Sequence, residues 1–486
     1  MTDPARVDRS TAWVAVASTI AGVLDAVSTI VCIQIGVTTG ELGAATLAVA
    51  LFPIIDRLGG VGLIAATVRE PDPDRDAMSS VLWLGLGVAA VLTGLLFVGR
   101  SLIARAFPDP IVATLLVAYS ARLLVRHWAV APEAMLKRAL RYRELSIVRV
   151  CGELTEAFVK LGLAYAGVHG NRDLAIWCFV IGPIANAIVT TAGTLVCYPW
   201  LPRFTLKRDV VRRVARFCAA VSGGDLLYFA YTSADYLVIG RYFGRSAVGI
   251  YRLAYELVID VVRMLSLVTT EVAFPTFARL AEDLPAVGAH LLRFTRQNLM
   301  VLAPFLVFVG IEADDLLAGM FGTLPPQAAT AARILCVVGA TRTLGFVLPA
   351  MLAGLGLASR VLLYNTIAAI FLPLAFVIAA EVAPASGYVA VAAAWAIGYP
   401  IVFAVLLSMS LPHAEVTLGA YVRAIRGIVA IAACAAGAGL LARMALPDVA
   451  TARLLVVATV VLAIYAALLA RFERVTLGSV VRALRA

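Results

Sequence analysis

Residues 223–280 read GGDLLYFAYTSADYLVIGRYFGRSAVGIYRLAYELVIDVVRMLSLVTTEVAFPTFARL. Two apolar helical spans flank a short glycine-marked turn from Gly240 to Gly249. Counted as one helix at about 100° per residue, the second span places Arg252, Glu256, Asp260 and Arg263 within roughly 80° of one another. Charges at bilayer depth face a partner helix or a wet cavity, not lipid. Two readings of the stripe stand side by side. It lines something polar, or Arg252 pairs with Glu256 and Asp260 with Arg263 as structural ion pairs along the helix.

The composition extends the membrane reading to the whole chain. Of 486 residues, 62% are hydrophobic and 14% charged, with a mean hydropathy of +0.95. That is too little charge to cover a water-soluble surface. Apolar runs of about 20 residues recur along the chain, each able to cross about 30 Å of hydrocarbon as a helix. No alternating strand pattern appears, which argues against a β-barrel. The expected fold is an all-α polytopic membrane protein with about fourteen transmembrane helices. The spans fall near 12–36, 42–67, 79–99, 109–131, 147–168, 173–198, 214–238, 246–270, 293–317, 326–355, 360–382, 387–411, 420–442 and 452–470. The first is read as a retained helix, since no small-residue cleavage site follows MTDPARVDRS.

The net charge of +10 is a topology signal, and no nucleic-acid module accompanies it. Arg6, Arg9, Lys137, Arg138, Arg141, Arg143 and the run Arg203, Lys207, Arg208, Arg212, Arg213 and Arg216 fall on one side. That bias puts both termini in the cytoplasm. The run at 201–217 divides an N-terminal six-helix lobe, 1–200, from a C-terminal one, 218–412. Residues 413–486 add two helices and a basic tail. An internal repeat supports the division. The offset that carries Gly43 to Gly249 also carries Leu47 to Leu253, Ala48 to Ala254, Leu51 to Leu257 and Arg57 to Arg263. Same-orientation halves imply a parallel repeat about an axis along the membrane normal.

Further charges fall within the spans. Arg149, Glu153, Glu156 and Lys160 share a helical face of roughly 60°. Asp25 stands alone in the first span, Asp56 and Arg57 adjoin in the second, and Arg122 sits in the fourth, with Arg126 near the cytoplasmic mouth. Asp225, Asp235 and Arg342 complete the set. An arginine fork stays charged when desolvated and suits phosphate or pyrophosphate. Arg57, Arg122, Lys160, Arg252, Arg263 and Arg342 are therefore candidate substrate-binding cations. Asp25, Asp56, Glu153, Glu156, Asp235, Glu256 and Asp260 are candidate acids for charge balance or ion coupling. Helix-fixing salt bridges are the competing account of all of them. The four histidines and seven cysteines show no metal-ligand or CxxC spacing, and no P-loop, GxSxG or HExxH motif is present. The expectation is a non-enzyme without cofactor or metal.

In the opening stretch, Asp235, Leu237, Gly240, Arg241, Gly244, Gly249, Tyr251, Tyr255 and Pro275 occur in an order and spacing that resembles the central signature of polysaccharide transporter (Wzx-type flippase) proteins. TTGELG (38–43), the run Asp56–Arg57–Leu58–Gly59–Gly60 and LKRALRYREL (136–145) extend the resemblance, which covers roughly residues 10–410. It implies membership of the multidrug/oligosaccharidyl-lipid/polysaccharide exporter superfamily, with two six-helix lobes around a cleft that opens alternately to each side. It further implies flipping of a polyprenyl-(pyro)phosphate-linked oligosaccharide across the bacterial cytoplasmic membrane, through a cationic cavity to which Arg57, Arg263 and Arg342 would contribute. Asp25 resembles a first-helix acid that some exporters use for cation coupling. Implied partners are membrane lipid, the lipid-linked oligosaccharide, a polysaccharide polymerase and glycosyltransferases. Two other functions remain open: a cation-coupled small-molecule antiporter of the same superfamily, expected to have an apolar cavity with one or two acids, and a non-transport scaffold for cell-wall assembly.

Overall fold

The computed structural model describes residues 4–56, 62–69, 74–107, 109–446 and 449–473, with side chains described throughout these except at 4–12, 15, 69 and 219–222. Arg57 lies outside the described residues. All regular structure among them is helical. The chain groups into two compact units, Met1–Arg252 and Leu253–Ala486.

The first unit contains α1 (Pro4–Ile35), α2 (Thr39–Ala50), α3 (Phe52–Asp56), α4 (Gly62–Arg69), α5 (Arg75–Val98), α6 (Arg100–Ala106), α7 (Ile111–His127), α8 (Val130–Arg138), α9 (Tyr142–His169), α10 (Asp173–Cys197) and nearly all of α11 (Arg208–Tyr255). Its helix starts are specified locally. Thr38 and Glu41 form a reciprocal capping box at α2, in which the Thr38 hydroxyl accepts from Glu41 N at 3.2 Å and Glu41 Oε2 accepts from Thr38 N at 2.7 Å. Arg172 then donates to both Glu41 carboxylate oxygens, which fixes the start of α10 against the start of α2. Asp74 caps α5 through Ala77 N.

α11 holds two helical arms meeting at Gly244, whose φ of 81° and ψ of 174° suit glycine. The second arm crosses α2 at a reciprocal glycine contact. A β-carbon on Gly43 would overlap the Arg245 carbonyl oxygen, and one on Gly249 would overlap the Thr39 carbonyl oxygen. The offset between the two glycines also relates Thr39 to Arg245, so the two close approaches are reciprocal.

The second unit opens with one π-helical turn, Glu256–Asp260, followed by α12 (Val261–Arg279), α13 (Leu284–Phe321), α14 (Pro326–Gly345), α15 (Val347–Gly354), α16 (Ala358–Val382), α17 (Tyr388–Ser410), α18 (Leu418–Ala445) and α19 (Ala450–Leu468). The π turn changes the angular count, so the single-helix wheel used for Arg252, Glu256, Asp260 and Arg263 does not apply across it. Helices α18 and α19 dock on α13 through Leu299, Ala303, Ile311, Ile428, Ile431, Ala435, Val457, Val461 and Tyr465.

Among the described residues, nine helices are long and apolar enough to cross a membrane. A tenth span arises if α7 and α8, bent by 48°, are taken together. Apart from 57–61, which lie outside the described residues, the expected spans fall mainly on helical segments, but nine or ten of the described helices, not fourteen, have the length and composition to cross. The polytopic all-α architecture thus agrees with the reading of the sequence.

Candidate functional site

The predicted charged face of the fifth span lies on α9, an uninterrupted helix that keeps Arg149, Glu153, Glu156 and Lys160 in register. Small residues bring neighbours against this face. A β-carbon on Gly152 would collide with Thr190 and Asn186, and one on Gly167 with the Ala175 backbone, so α9 and α10 approach closely. At the deep end, Lys160 is 3% exposed. Its ammonium donates to Asp25 at 2.8 Å, to Ser28 at 3.1 Å and to Thr29 at 3.2 Å, all on α1. Asp25, alone in sequence, is therefore an ion-pair partner in space. One turn nearer the α9 N-terminus, Glu156 accepts from Asn186 Nδ2 at 2.8 Å.

Beyond Glu153 the face opens into a cavity of about 610 Å³. Arg122 and Arg126 of α7, Glu133 and Lys137 of α8, Arg149 and Glu153 of α9, and Asn186, Thr190 and Thr194 of α10 line it, with Val14 and Ala17 of α1. The Arg122 guanidinium lies 5.9 Å from the Phe52 ring centroid and 5.7 Å from that of Tyr119, and donates to the Tyr119 hydroxyl at 3.1 Å. Phe52 and Tyr119 meet edge to face at 4.4 Å, giving the guanidinium a rigid seat. Arg149 donates to the Ser18 hydroxyl at 2.9 Å. Glu133 takes Lys137 at 2.8 Å and Arg126 at 3.8 Å. Among the described residues, neither Arg122 nor Arg149 has a carboxylate within ion-pair distance. The cavity is thus cation-rich, with two guanidinium groups held by neutral partners that an anion can displace or add to.

Of the predicted residues, Arg122 and Glu153 line this cavity, and Glu156, Lys160 and Asp25 continue it as a polar track. Asp56, at the end of α3, interacts electrostatically with Arg122. Asp235 is fully buried elsewhere in α11, where it accepts from the Tyr251 hydroxyl at 2.9 Å and from Tyr236 N at 2.8 Å, tying together the two arms around Gly244. Arg252 and Glu256 are half-buried. Arg263 pairs with Asp260 at 2.9 Å on the surface of its unit. Arg342 is 3% exposed. It donates to the Tyr255 hydroxyl at 3.0 Å and lies over Trp395 and Tyr399. Lys137 and Glu133 were missed as site residues because the short, bent α8 reads in sequence as a cytoplasmic connection. Their spacing of four, acid before base, was the available signal.

A second charged cluster sits in the other unit, where α13 departs from helical geometry at Glu312 (φ −103°, ψ 19°). Arg453 of α19 donates two parallel bonds of 2.6 Å to Asp315. Arg443 of α18 donates to the Ile311 carbonyl and lies 3.6 Å from Glu312 and 3.4 Å from Asp314. Arg333 of α14 pairs with Asp314. Here Arg333, Arg443 and Arg453 meet Glu312, Asp314 and Asp315, so the formal charges cancel within the protein.

A family model described as polysaccharide biosynthesis protein matches residues 37–324, more than half of the chain. The succinoglycan biosynthesis transport protein ExoT of Rhizobium meliloti (strain 1021) is 24% identical over 283 residues, covering 58% of this chain and 56% of that one. The lipopolysaccharide biosynthesis protein WzxC of Escherichia coli (strain K12) is 23% identical over 338 residues, covering 68% and 67%. The matched stretch thus spans little more than half of the length of ExoT. In three dimensions the chain is similar to the lipid II flippase MurJ in an inward closed conformation, with a TM-score of 0.77 at 13% identity, over 96% of this chain and 98% of that one. This is a multi-pass helical membrane protein, and the chain belongs to the polysaccharide biosynthesis protein family.

Proposed function

We propose that this protein flips a polyprenyl-(pyro)phosphate-linked oligosaccharide across the bacterial cytoplasmic membrane, and that the α7–α10 cavity receives the anionic headgroup. The observation that carries the reading is the pair Arg122 and Arg149, facing one cavity with no carboxylate within ion-pair distance among the described residues. A phosphate there gains charge-assisted bonds in a low-dielectric setting, and no internal ion pair has to break first. Arg126, Lys137 and Tyr142 place the mouth of the cavity at the basic end of α7–α9. That end is cytoplasmic under the topology read from charge bias, where a glycosyltransferase would deliver the completed lipid-linked sugar. A polymerase would take it on the far side. Neutral hydrogen-bonding groups at Asn186, Thr190 and Thr194 suit the sugar hydroxyls beside the phosphate. The antiporter alternative expects an apolar cavity with one or two acids. Arg122, Arg126, Lys137 and Arg149 around one space fit it poorly.

The test is complementation of a deletion strain. The strain should accumulate lipid-linked oligosaccharide in the inner leaflet and lose surface polymer, and the wild-type gene should restore both. Arg122→Gln/Arg149→Gln, present at normal membrane levels, should leave the oligosaccharide accumulated. Full polymer output from that variant would reject the assignment of the cavity.

A further inference from the structure

The basic run between α10 and α11 is not a free tether. Side chains of α5 fasten its backbone at successive points. The Ser79 hydroxyl accepts from Arg203 N at 2.9 Å, and the Ser80 hydroxyl from Lys207 N at 2.8 Å. Trp83 Nε1 donates to the Arg203 carbonyl at 2.8 Å, and Arg75 to the Leu201 carbonyl at 3.0 Å. Arg203 and Lys207 pair with Asp76 and Asp74 at 3.3 and 2.6 Å. The Lys207 ammonium holds the Asp74 carboxyl below the ordinary carboxylate range. The first turns of α11 then bury Val210 and Val214 against Leu63, Ala77, Val81 and Val130.

This fastening turns apolar side chains outward. Phe204 is 92% exposed, Leu201 73% and Leu206 63%. The Phe204 ring stacks on Trp83 at 4.9 Å, and Trp83 meets Trp128 at 6.4 Å. Just beyond, Arg208, Arg212 and Arg216 are exposed on the face of α11 opposite Val210 and Val214. Rigid exposed apolar residues, indole rings at the end of a membrane span and an adjoining row of arginines form the pattern of an interfacial segment. Arg208, Arg212, Arg213 and Arg216 outnumber the exposed Asp209, and net positive charge beside large apolar groups selects a surface that is anionic and greasy at once.

We propose that the segment 201–216 is an interfacial anchor that binds anionic phospholipid headgroups, with Leu201, Phe204 and Leu206 entering the acyl boundary and Arg208, Arg212 and Arg216 contacting the phosphates. Polybasic attraction and apolar insertion reinforce each other, and neither suffices alone. The surface is separate from the α7–α10 cavity, and the inference stands whether or not that cavity binds a lipid-linked sugar. A free phosphate would use the arginines without the apolar tip, so the two sources differ in their response to competitor and to salt.

The experiment measures phospholipid retained by the full-length protein after reconstitution in equimolar phosphatidylglycerol and phosphatidylcholine, read by native mass spectrometry. The wild type should retain phosphatidylglycerol preferentially. Arg208→Gln/Arg212→Gln/Arg216→Gln should lower that preference at least about tenfold, and Arg208→Lys/Arg212→Lys/Arg216→Lys should keep most of it. Phe204→Ser/Leu206→Ser leaves every backbone fastening in place and should also weaken retention, which keeps the test decisive if the glutamine variant folds poorly. Excess inorganic pyrophosphate should displace little of the lipid. An unchanged preference in both the glutamine and the serine variants would overturn the proposal, as would full displacement by pyrophosphate.

Discussion

The α7–α10 cavity and the cluster at the α13 break use the same side chains to opposite ends. At α13, Arg333, Arg443 and Arg453 close on Glu312, Asp314 and Asp315, and the cluster pins α18 and α19 to the unit. In the cavity, Arg122 and Arg149 rest on an aromatic seat, a phenol and a serine hydroxyl, and their charge stays available. Residue type does not separate the two. Stoichiometry and pairing do: three arginines ion-paired to three carboxylates hold helices together, whereas guanidinium groups outside ion-pair distance of any carboxylate among the described residues, and facing a cavity, can take a ligand.

The comparison predicts a graded series in stability. The largest loss belongs to Arg453→Ala, which strands the buried Asp315 and leaves Glu312 with Arg443 alone, 3.6 Å away. Removing one partner of a buried pair costs about 3–5 kcal/mol, so the folded fraction surviving detergent extraction should fall sharply. Arg122→Gln, by contrast, should shift the thermal midpoint less, since it breaks no ion pair among the described residues and glutamine keeps a donor for the Tyr119 hydroxyl. Equal losses in the two variants would break the distinction.

Lys160 sharpens the comparison because it is sealed like the α13 cluster yet adjoins the cavity track. Asp25→Ala leaves its ammonium buried with only Ser28 and Thr29 as partners among those named on α1. Because Asp25 itself is half exposed, the loss should sit somewhat below the Arg453 value, on the order of 2–4 kcal/mol, and should show in thermal unfolding of the purified protein. The smallest effect belongs to the surface pair. Arg263→Gln removes an exposed contact to Asp260 and should cost below about 1 kcal/mol. A large loss there would mean that exposure fails to rank these charges.

How much of this was legible in the sequence depended on helix regularity. Arg149, Glu153, Glu156 and Lys160 could be assigned one face because α9 runs unbroken from Tyr142 to His169. The same arithmetic was less useful for Arg252, Glu256, Asp260 and Arg263, where a π turn intervenes at Glu256–Asp260. Patterning of apolar residues gave the multi-pass helical fold, and Gly43 and Gly249, paired by the sequence offset, meet in a reciprocal close crossing. What sequence could not give was partnership across distance. Asp25 looked solitary because Lys160 is far along the chain. Nor could it show that Arg342 sits among Tyr255, Trp395 and Tyr399, an aromatic setting like that of Arg122.

The most direct test of the account is transport by purified protein in vesicles carrying a fluorescent polyprenyl-pyrophosphate oligosaccharide, with movement between leaflets followed by accessibility to an external sugar-modifying enzyme. Wild type should flip it. Arg122→Gln/Arg149→Gln should fall at least about tenfold, the loss of a charge-assisted bond of 1.5–3 kcal/mol, with thermal stability near that of wild type. Wild-type flipping rates in the double variant would contradict the central claim that these two guanidinium groups receive the headgroup.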